Sequence, residues 1–109
     1  MLTKLEDQIV MTVWKFRGKA YGVNVYDRLL ELTGQKLAVG VIYANLDRLT
    51  RKGYLRSYMG EPTAVRGGMR KTYYKITPEG MNALAESKRI QDRIWDEYPG
   101  LAVSGGGEG

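Results

Sequence analysis

The sequence contains neither cysteine nor histidine among its 109 residues. Without these residue types the chain has no thiol nucleophile, no imidazole base and none of the usual nitrogen or sulfur ligands of zinc. Its carboxylates form no pair beside a glycine-rich phosphate loop or a nucleophile elbow. We therefore predict that the protein is not an enzyme and that it has no catalytic residue, no metal site and no cofactor.

Long apolar runs are missing too, since no stretch approaches the roughly 20 apolar residues that a membrane-spanning helix needs. The start of the chain has no signal-peptide pattern, and a small domain without cysteine is more typical of the cytoplasm than of secreted proteins. We expect a cytoplasmic protein that does not interact with a membrane. A hydrophobic content of 43% is ordinary for a globular protein with one modest core.

The excess of positive charge lies in one third of the chain. The formal net charge is +5, and residues 47–75 contain eight basic and two acidic residues, which gives that segment a net charge of +6. The rest of the chain therefore carries a net charge of −1. A local excess of this kind favours a polyanionic partner. A membrane surface is a poorer match, because the segment has no basic amphipathic helix with a large apolar face.

Apolar periodicity predicts an ordered series of helices and strands. The predicted helices cover about 3–17, 22–33, 40–53 and 78–98, and two strands cover 54–59 and 71–77. Thr3 and Glu6 have the spacing of a capping box at the start of the first helix. Thr77 followed by Pro78 is typical of the start of a helix. The strands are expected to pair as an antiparallel hairpin with a long cationic tip.

These elements predict a mainly α fold, a winged helix-turn-helix followed by a long C-terminal dimerisation helix. Ile42, Leu46 and Leu49 lie on one face of the third helix and are expected in the core. Trp14 and Val23 are expected to be buried in the first two helices. We divide the chain into a winged-helix DNA-binding domain over 1–77, the dimerisation helix over 78–98 and a disordered tail over 99–109.

The third helix has a second face that is polar and cationic. Val41, Asn45, Arg48 and Lys52 repeat there at helical spacing, and we expect this face to point outward. Alone, such a face is typical of any solvated helix. The preceding helix, the cationic hairpin and the concentrated charge favour insertion into a DNA major groove instead. Asparagine is the residue type that reads adenine, and arginine the type that reads guanine.

The hairpin and the third helix together supply the predicted DNA contacts. Arg66, Arg70 and Lys71 are expected to meet phosphates or a minor groove, with Gly67 and Gly68 allowing close approach of the backbone. An ordinary solvated loop is the alternative for this tip. The complete predicted set is Val41, Tyr43, Asn45, Arg48, Arg51, Lys52, Arg66, Gly67, Gly68, Arg70 and Lys71. Tyr43 can either reach a phosphate through its hydroxyl group or pack its ring against the second helix.

Several short motifs occur in a specific order and spacing. They are Tyr21-Gly22, Gly40-Val41-Ile42-Tyr43, Leu46-Asp47-Arg48-Leu49, Lys52-Gly53-Tyr54-Leu55 and the run from Lys71 to Gly80. Over about residues 3–98 the chain thereby resembles the PadR family of transcriptional regulators. The resemblance implies a homodimeric DNA-binding repressor. Similar proteins usually carry Thr or Ser where Val41 stands, so Asn45 and Arg48 are expected to carry most of the specificity of the third helix.

The distal half of the last helix carries an apolar stripe. Ile90, Ile94, Trp95 and Tyr98 form this stripe, and a domain of this size has no further core for it, so we predict a two-fold dimer interface. The resemblance adds a possible ligand, because some relatives stack an aromatic small molecule on a tryptophan of this helix. Trp95 is then either a stacking platform or an apolar anchor of the dimer.

The resulting prediction is a sequence-specific transcriptional regulator that binds double-stranded DNA as a homodimer. It is expected to repress, and if Trp95 is a stacking platform, a small aromatic effector would relieve that repression. Two other functions fit the same residues. One is a winged-helix protein-interaction module, and the other is a ligand sensor without sequence-specific DNA binding.

Overall fold

Four helices and one hairpin make up the described residues, 1–61 and 70–98, of the computed structural model. The elements are α1 Lys4–Lys15, α2 Gly22–Thr33, α3 Val39–Arg51, β1 Leu55–Met59, β2 Thr72–Ile76 and α4 Pro78–Asp96. The predicted mainly α fold with an antiparallel hairpin is confirmed. Each element lies within about two residues of its predicted bounds, as local propensity and capping allow.

The core lies where α1, α2 and α3 converge. Its buried apolar residues are Ile9, Val10, Val13, Ala20, Val25, Leu29, Ile42, Leu46, Leu49 and Leu55. Ile42, Leu46 and Leu49 are fully buried, so the predicted inner face of α3 is confirmed. These side chains share one face because successive helical residues are rotated by about 100°.

Two residues expected in the core are exposed. Trp14 is 46% exposed and Val23 is 48% exposed. Trp14 follows the fully buried Val13, and one residue turns the side chain about 100° away from the core. Val23 precedes the fully buried Val25 by two residues, which turns it to nearly the opposite side. The predictions for these two residues are wrong, because the buried stripe of each helix is narrower than we assumed.

The hairpin is fastened to the connection between α1 and α2. Its strands pair in antiparallel register from Leu55 opposite Ile76 to Met59 opposite Thr72. The amide of Tyr74 donates to the carbonyl of Ala20 at 2.8 Å, which adds a short third segment to the sheet. This connection positions the root of the wing beside α3. The tip of the hairpin, 62–69, lies outside the described residues.

The start of α4 is joined tightly to the end of α3. The Thr77 hydroxyl accepts from the Gly80 amide at 3.0 Å and donates to the Gly53 carbonyl at 2.6 Å. Gly80 is buried, and a Cβ there would collide with the backbone carbonyl of Tyr54. The predicted helix start at Thr77 and Pro78 is confirmed, and the same hydroxyl sets the position of α4 relative to α3.

None of the helices in the described ranges is both long and apolar enough to cross a membrane. In the same ranges no three acidic side chains gather into a group that could hold a metal ion.

Candidate nucleic-acid interface

The exposed side of α3 is rotated from the face that the sequence predicts. We call the exposed residues at helical spacing on this side the outer strip; they are Gly40, Tyr43, Ala44, Asp47 and Arg51. Their intervals of three and four residues place them together on one surface of the helix. The strip borders the hairpin, since Tyr43 and Asp47 lie near Tyr74 of β2. Arg51 is the one member of the strip that is both cationic and among the predicted DNA contacts.

Asn45 does not point outward as predicted. It is 6% exposed, because on the helical wheel it lies about 40° from the buried Leu49. Its Nδ2 donates to the Val41 carbonyl at 2.8 Å, and its Oδ1 accepts from Arg48 Nη2 at 2.6 Å. Both ends of the amide are therefore engaged within the protein. A base contact by Asn45 stays a prediction, and it would require these bonds to open.

Arg48 and Lys52 lie on the flank of α3 and share an acidic partner from α1. Glu6 Oε2 accepts from Arg48 Nε at 3.1 Å and from Lys52 Nζ at 3.3 Å. Both cationic side chains keep part of their surface in solvent, whereas Glu6 is 1% exposed. Both cations therefore reach the surface as predicted, but they are not free, because Glu6 binds them both.

The buried carboxylate of Glu6 is stabilised in its ionised form. Burial by itself raises the pKa of this carboxyl, but a hydrogen bond from the Thr3 amide and the bonds from Arg48 and Lys52 outweigh burial. Its pKa therefore lies below the usual value for glutamate. The Thr3 amide donates to Glu6 Oε1 at 2.9 Å, and the predicted capping box is confirmed. One residue thus caps α1 and anchors the flank of α3.

Tyr43 lies over the start of α2. A Cβ at Gly22 would collide with the ring and the hydroxyl oxygen of Tyr43, so the glycine makes room for the tyrosine. Tyr43 nevertheless remains exposed on its other side. Packing against the second helix, one of the two predicted alternatives, is therefore present in the structure. The phosphate contact through the hydroxyl group stays a prediction.

Asp47 brings a negative charge to the outer strip, and sequence reasoning did not select it. It forms an ion pair with Arg51, one turn further along α3. Burial raises the pKa of Tyr74, and the nearby Asp47 and Tyr43 raise it further. An aspartate in a major groove can accept a hydrogen bond from the amino group of cytosine. The sequence could have indicated this position, because Tyr43, Asp47 and Arg51 follow one another at intervals of four residues.

The part of the hairpin next to its tip combines exposed cations with aromatic rings. Arg70 and Lys71 are exposed, as predicted. Lys71 Nζ lies 4.1 Å from the centre of the Tyr21 ring, which holds the ammonium group against the connection between α1 and α2. The Tyr73 ring stacks on Tyr58 with centres 5.6 Å apart. The three other wing residues predicted to bind DNA, Arg66, Gly67 and Gly68, lie outside the described residues.

The distal half of α4 exposes its apolar stripe. Ile94 and Trp95 are exposed, as is Tyr98 two residues after the end of α4, and Ile90 is half-buried. The expectation that the domain core ends before this stripe agrees with these exposures. Its role as a dimer interface stays a prediction. The predicted tail, 99–109, lies outside the described residues.

A groove between α1 and α4 contains the other tryptophan. Its volume is about 420 Å³, and Trp14, Met81 and Leu84 supply much of its apolar lining. Asp7 of α1 also lines this groove. Burial raises the pKa of Asp7, and a hydrogen bond with Ser87 opposes that effect. Trp95 does not line this groove in the described residues. The exposed Trp14 is therefore a second aromatic surface that the sequence predicted to be core.

A family model matches most of the chain. The model described as "Transcriptional regulator PadR-like family" matches residues 10–86, a span that contains α2, α3 and the hairpin and ends within α4. No curated protein is similar enough in sequence to count as a match.

Solved structures share the fold at low sequence identity. A transcriptional regulator from Streptococcus is 20% identical, with a TM-score of 0.72 over 90% of this chain and 91% of its own. A PadR-like transcriptional regulator from Bacillus cereus is 22% identical, with a TM-score of 0.70 over 90% of each chain. Bacillus subtilis PadR, solved in complex with operator DNA, is 21% identical with a TM-score of 0.66; the match covers 77% of this chain and 46% of that protein.

Proposed function

We propose that this protein, which belongs to the PadR-like family of transcriptional regulators, binds double-stranded DNA with sequence preference as a homodimer and represses transcription. The observation that carries the proposal is the exposed outer strip of α3 beside a hairpin whose second strand is preceded by the exposed Arg70 and Lys71. A helix of this size fits the major groove, and cations beside it suit the phosphate backbone. The fold shared with Bacillus subtilis PadR, whose structure contains operator DNA, supports this assignment.

In the proposed complex, the outer strip of α3 enters the major groove. Arg51 and Asp47 offer hydrogen-bonding groups to base edges, and Tyr43 offers its hydroxyl to base or phosphate. Arg70 and Lys71 contact phosphates beside the groove. Arg48 and Lys52 lie further round the helix, away from the bases, and Glu6 holds both. The specificity that we first assigned to Asn45 and Arg48 therefore moves to the outer strip.

The homodimer forms in this proposal through the distal half of α4. Exposed large apolar side chains at Ile94, Trp95 and Tyr98 favour a protein interface. Residues 1–77 then form the winged-helix domain, 78–98 the dimerisation helix and 99–109 a tail. A two-fold dimer presents two α3 helices, so a palindromic site with half-sites about one helical turn apart is expected.

The decisive experiment is selection of bound sequences from random duplex DNA, followed by titration across a salt series. We expect a palindromic consensus and an affinity that falls steeply with salt. Arg51→Ala is expected to alter the consensus, because that side chain lies in the outer strip. An affinity no greater than that of a neutral control protein would contradict DNA binding and favour a protein-interaction module.

The wing is tested by the double substitution Arg70→Ala and Lys71→Ala. It is expected to weaken binding to all sequences alike, because these cations contact phosphates. Lys88→Ala with Arg89→Ala removes the same charge from exposed positions of α4 and serves as the matched control. Equal losses in the two double variants would show that only net charge matters.

A small aromatic effector is the second element of the proposal. Trp14 and Trp95 are both exposed and are the two tryptophans of the chain, so fluorescence quenching reports on either. Planar aromatic compounds should quench the wild type, and comparison of Trp14→Phe with Trp95→Phe assigns the signal. Quenching together with loss of DNA affinity supports induction. Quenching without any DNA binding would favour a ligand sensor. Absence of quenching across a broad panel of compounds would contradict the proposal of an aromatic effector.

A further inference from the structure

One buried acid of α1 controls how the cations on the flank of α3 are oriented. Arg48 directs Nε toward Glu6 and Nη2 toward Asn45. Lys52 directs its ammonium group toward the same Glu6 oxygen. Three of the eight N–H donors of these two side chains are thus bound within the protein. The Glu6 carboxylate also offsets part of their positive charge, so a phosphate gains less from approaching them.

The two cations are held, but they are not enclosed. About two fifths of the side-chain surface of Arg48 and of Lys52 stays accessible, at 42% and 43%. Each is long enough to swing into solvent once its partner is removed. Glu6 itself stays buried, so it cannot follow the cations outward. The pairing therefore lowers the number of positive charges that α3 offers to a polyanion without removing cationic residues from the helix.

We propose that Glu6 is a positioning residue that withholds Arg48 and Lys52 from DNA phosphates and thereby limits sequence-independent binding. This inference rests on the proposed DNA-binding function. Sequence-independent affinity comes almost wholly from phosphate neutralisation, whereas base readout needs the outer strip. If Arg48 and Lys52 do not neutralise phosphates, affinity for random sites falls more than affinity for specific sites. Glu6 of α1 then influences the ratio of specific to random DNA affinity through two residues more than 40 positions further along the chain.

The substitution Glu6→Gln tests this proposal without removing the helix cap. Glutamine can serve in place of glutamate in a capping box, so the bond from the Thr3 amide can persist. Arg48 and Lys52 are partly exposed, so losing the carboxylate does not leave a fully buried unpaired charge. Glu31→Gln is the matched control, because it makes the same charge change in an exposed ion pair with Arg28 on α2.

The measurement is affinity for random and for selected duplexes over a salt series. Each additional phosphate contact steepens the dependence of log affinity on log salt by about 0.9. We expect Glu6→Gln to steepen this slope by about one to two units and to raise affinity for random duplex about three- to tenfold. The ratio of specific to random affinity should fall. Adding Lys52→Gln to Glu6→Gln should move the slope back toward the wild type.

Two results would overturn the inference, and they differ in what they say about the proposed function. Equal slopes for Glu6→Gln and Glu31→Gln, with the wild type binding DNA, would make Glu6 only a structural link between α1 and α3. Absence of salt-dependent DNA binding by the wild type would remove the proposed function and this inference together. Circular dichroism shows beforehand whether Glu6→Gln still folds. If it does not, Lys52→Gln alone tests the proposal: a Lys52 side chain withheld from phosphates predicts the same salt slope as the wild type. A shallower slope for Lys52→Gln would contradict the proposal.

Discussion

α3 and the distal half of α4 have similar apolar spacing but opposite surroundings. In α3, Ile42 and Leu46 are fully buried, whereas Ile94 and Trp95 of α4 are exposed. α3 is surrounded by α1, α2 and β1, whereas every described residue after Ile90 is exposed. The same periodic pattern therefore builds a core in one place and an unpartnered surface in the other, and the difference comes from which elements lie alongside.

The ion pairs of α3 and of α4 also differ in their surroundings. Arg48 and Lys52 on the flank of α3 pair with Glu6, which is distant in sequence and buried. The ion pair of Lys88 with Asp92 in α4 joins residues one turn apart, and both side chains are exposed. Exposed pairs within one helix contribute little to stability, whereas a buried carboxylate with several donors is costly to disturb. α3 is thus held by packing and by charge, and the distal part of α4 is held by neither.

The largest expected effect is that of Leu46→Ala. It removes a fully buried side chain, and we expect a loss of about 3 kcal/mol in the free energy of unfolding, measured by urea denaturation. Val41→Ala, at an exposed position of the same helix, is the control and should cost well under 1 kcal/mol. A loss below about 1 kcal/mol for Leu46→Ala would show that α3 is not packed as described.

The next largest effect is that of Glu6→Gln, with about 1–2 kcal/mol lost at neutral pH because charge-assisted hydrogen bonds are weakened. The native pKa of Glu6 is lowered, so its stabilising contribution is complete above the unfolded value of about 4.5 and disappears as pH falls through the lower native pKa. The difference from the wild type should therefore shrink in acid. Urea denaturation between pH 7 and pH 3 measures it.

The matched control for that experiment is Asp92→Asn, which breaks the exposed ion pair of Lys88 with Asp92 in α4. It should leave stability almost unchanged throughout the same pH range. A pH-independent difference for Glu6→Gln would contradict the charge-based role of Glu6, since the lost stabilisation would then come from packing alone.

The smallest expected effect is that of Ile94→Ala in dilute protein. An exposed side chain outside the core should cost less than about 0.5 kcal/mol. At high concentration a homodimer gains stability by mass action, and the variant should gain less than the wild type. Thermal unfolding over a range of concentrations, with light scattering, measures both. An equal, large loss at every concentration would place Ile94 inside the protomer.

The elements that obey local rules were predictable. The start of α1 at Thr3 and the start of α4 at Thr77 each depend on a side-chain oxygen that binds an amide three residues later. The strands follow from β-branched and aromatic residues between turn signals. The errors, Trp14, Val23 and Asn45, all concern rotation of a helix about its own axis. Neighbouring residues of a helix point about 100° apart. Periodicity alone does not locate the edges of the buried face to within one residue.

The sequence by itself determined the order of helices and strands, the position of the charge and the family, because caps, periods and motifs act over a few residues. Only the tertiary structure decided which face of α3 is exposed and where its cations point. Glu6 meets Arg48 and Lys52 across 42 and 46 residues, and that meeting depends on how α1 crosses α3. A property of one helix can be read from its residues, but a contact between two helices depends on the packing that brings them together.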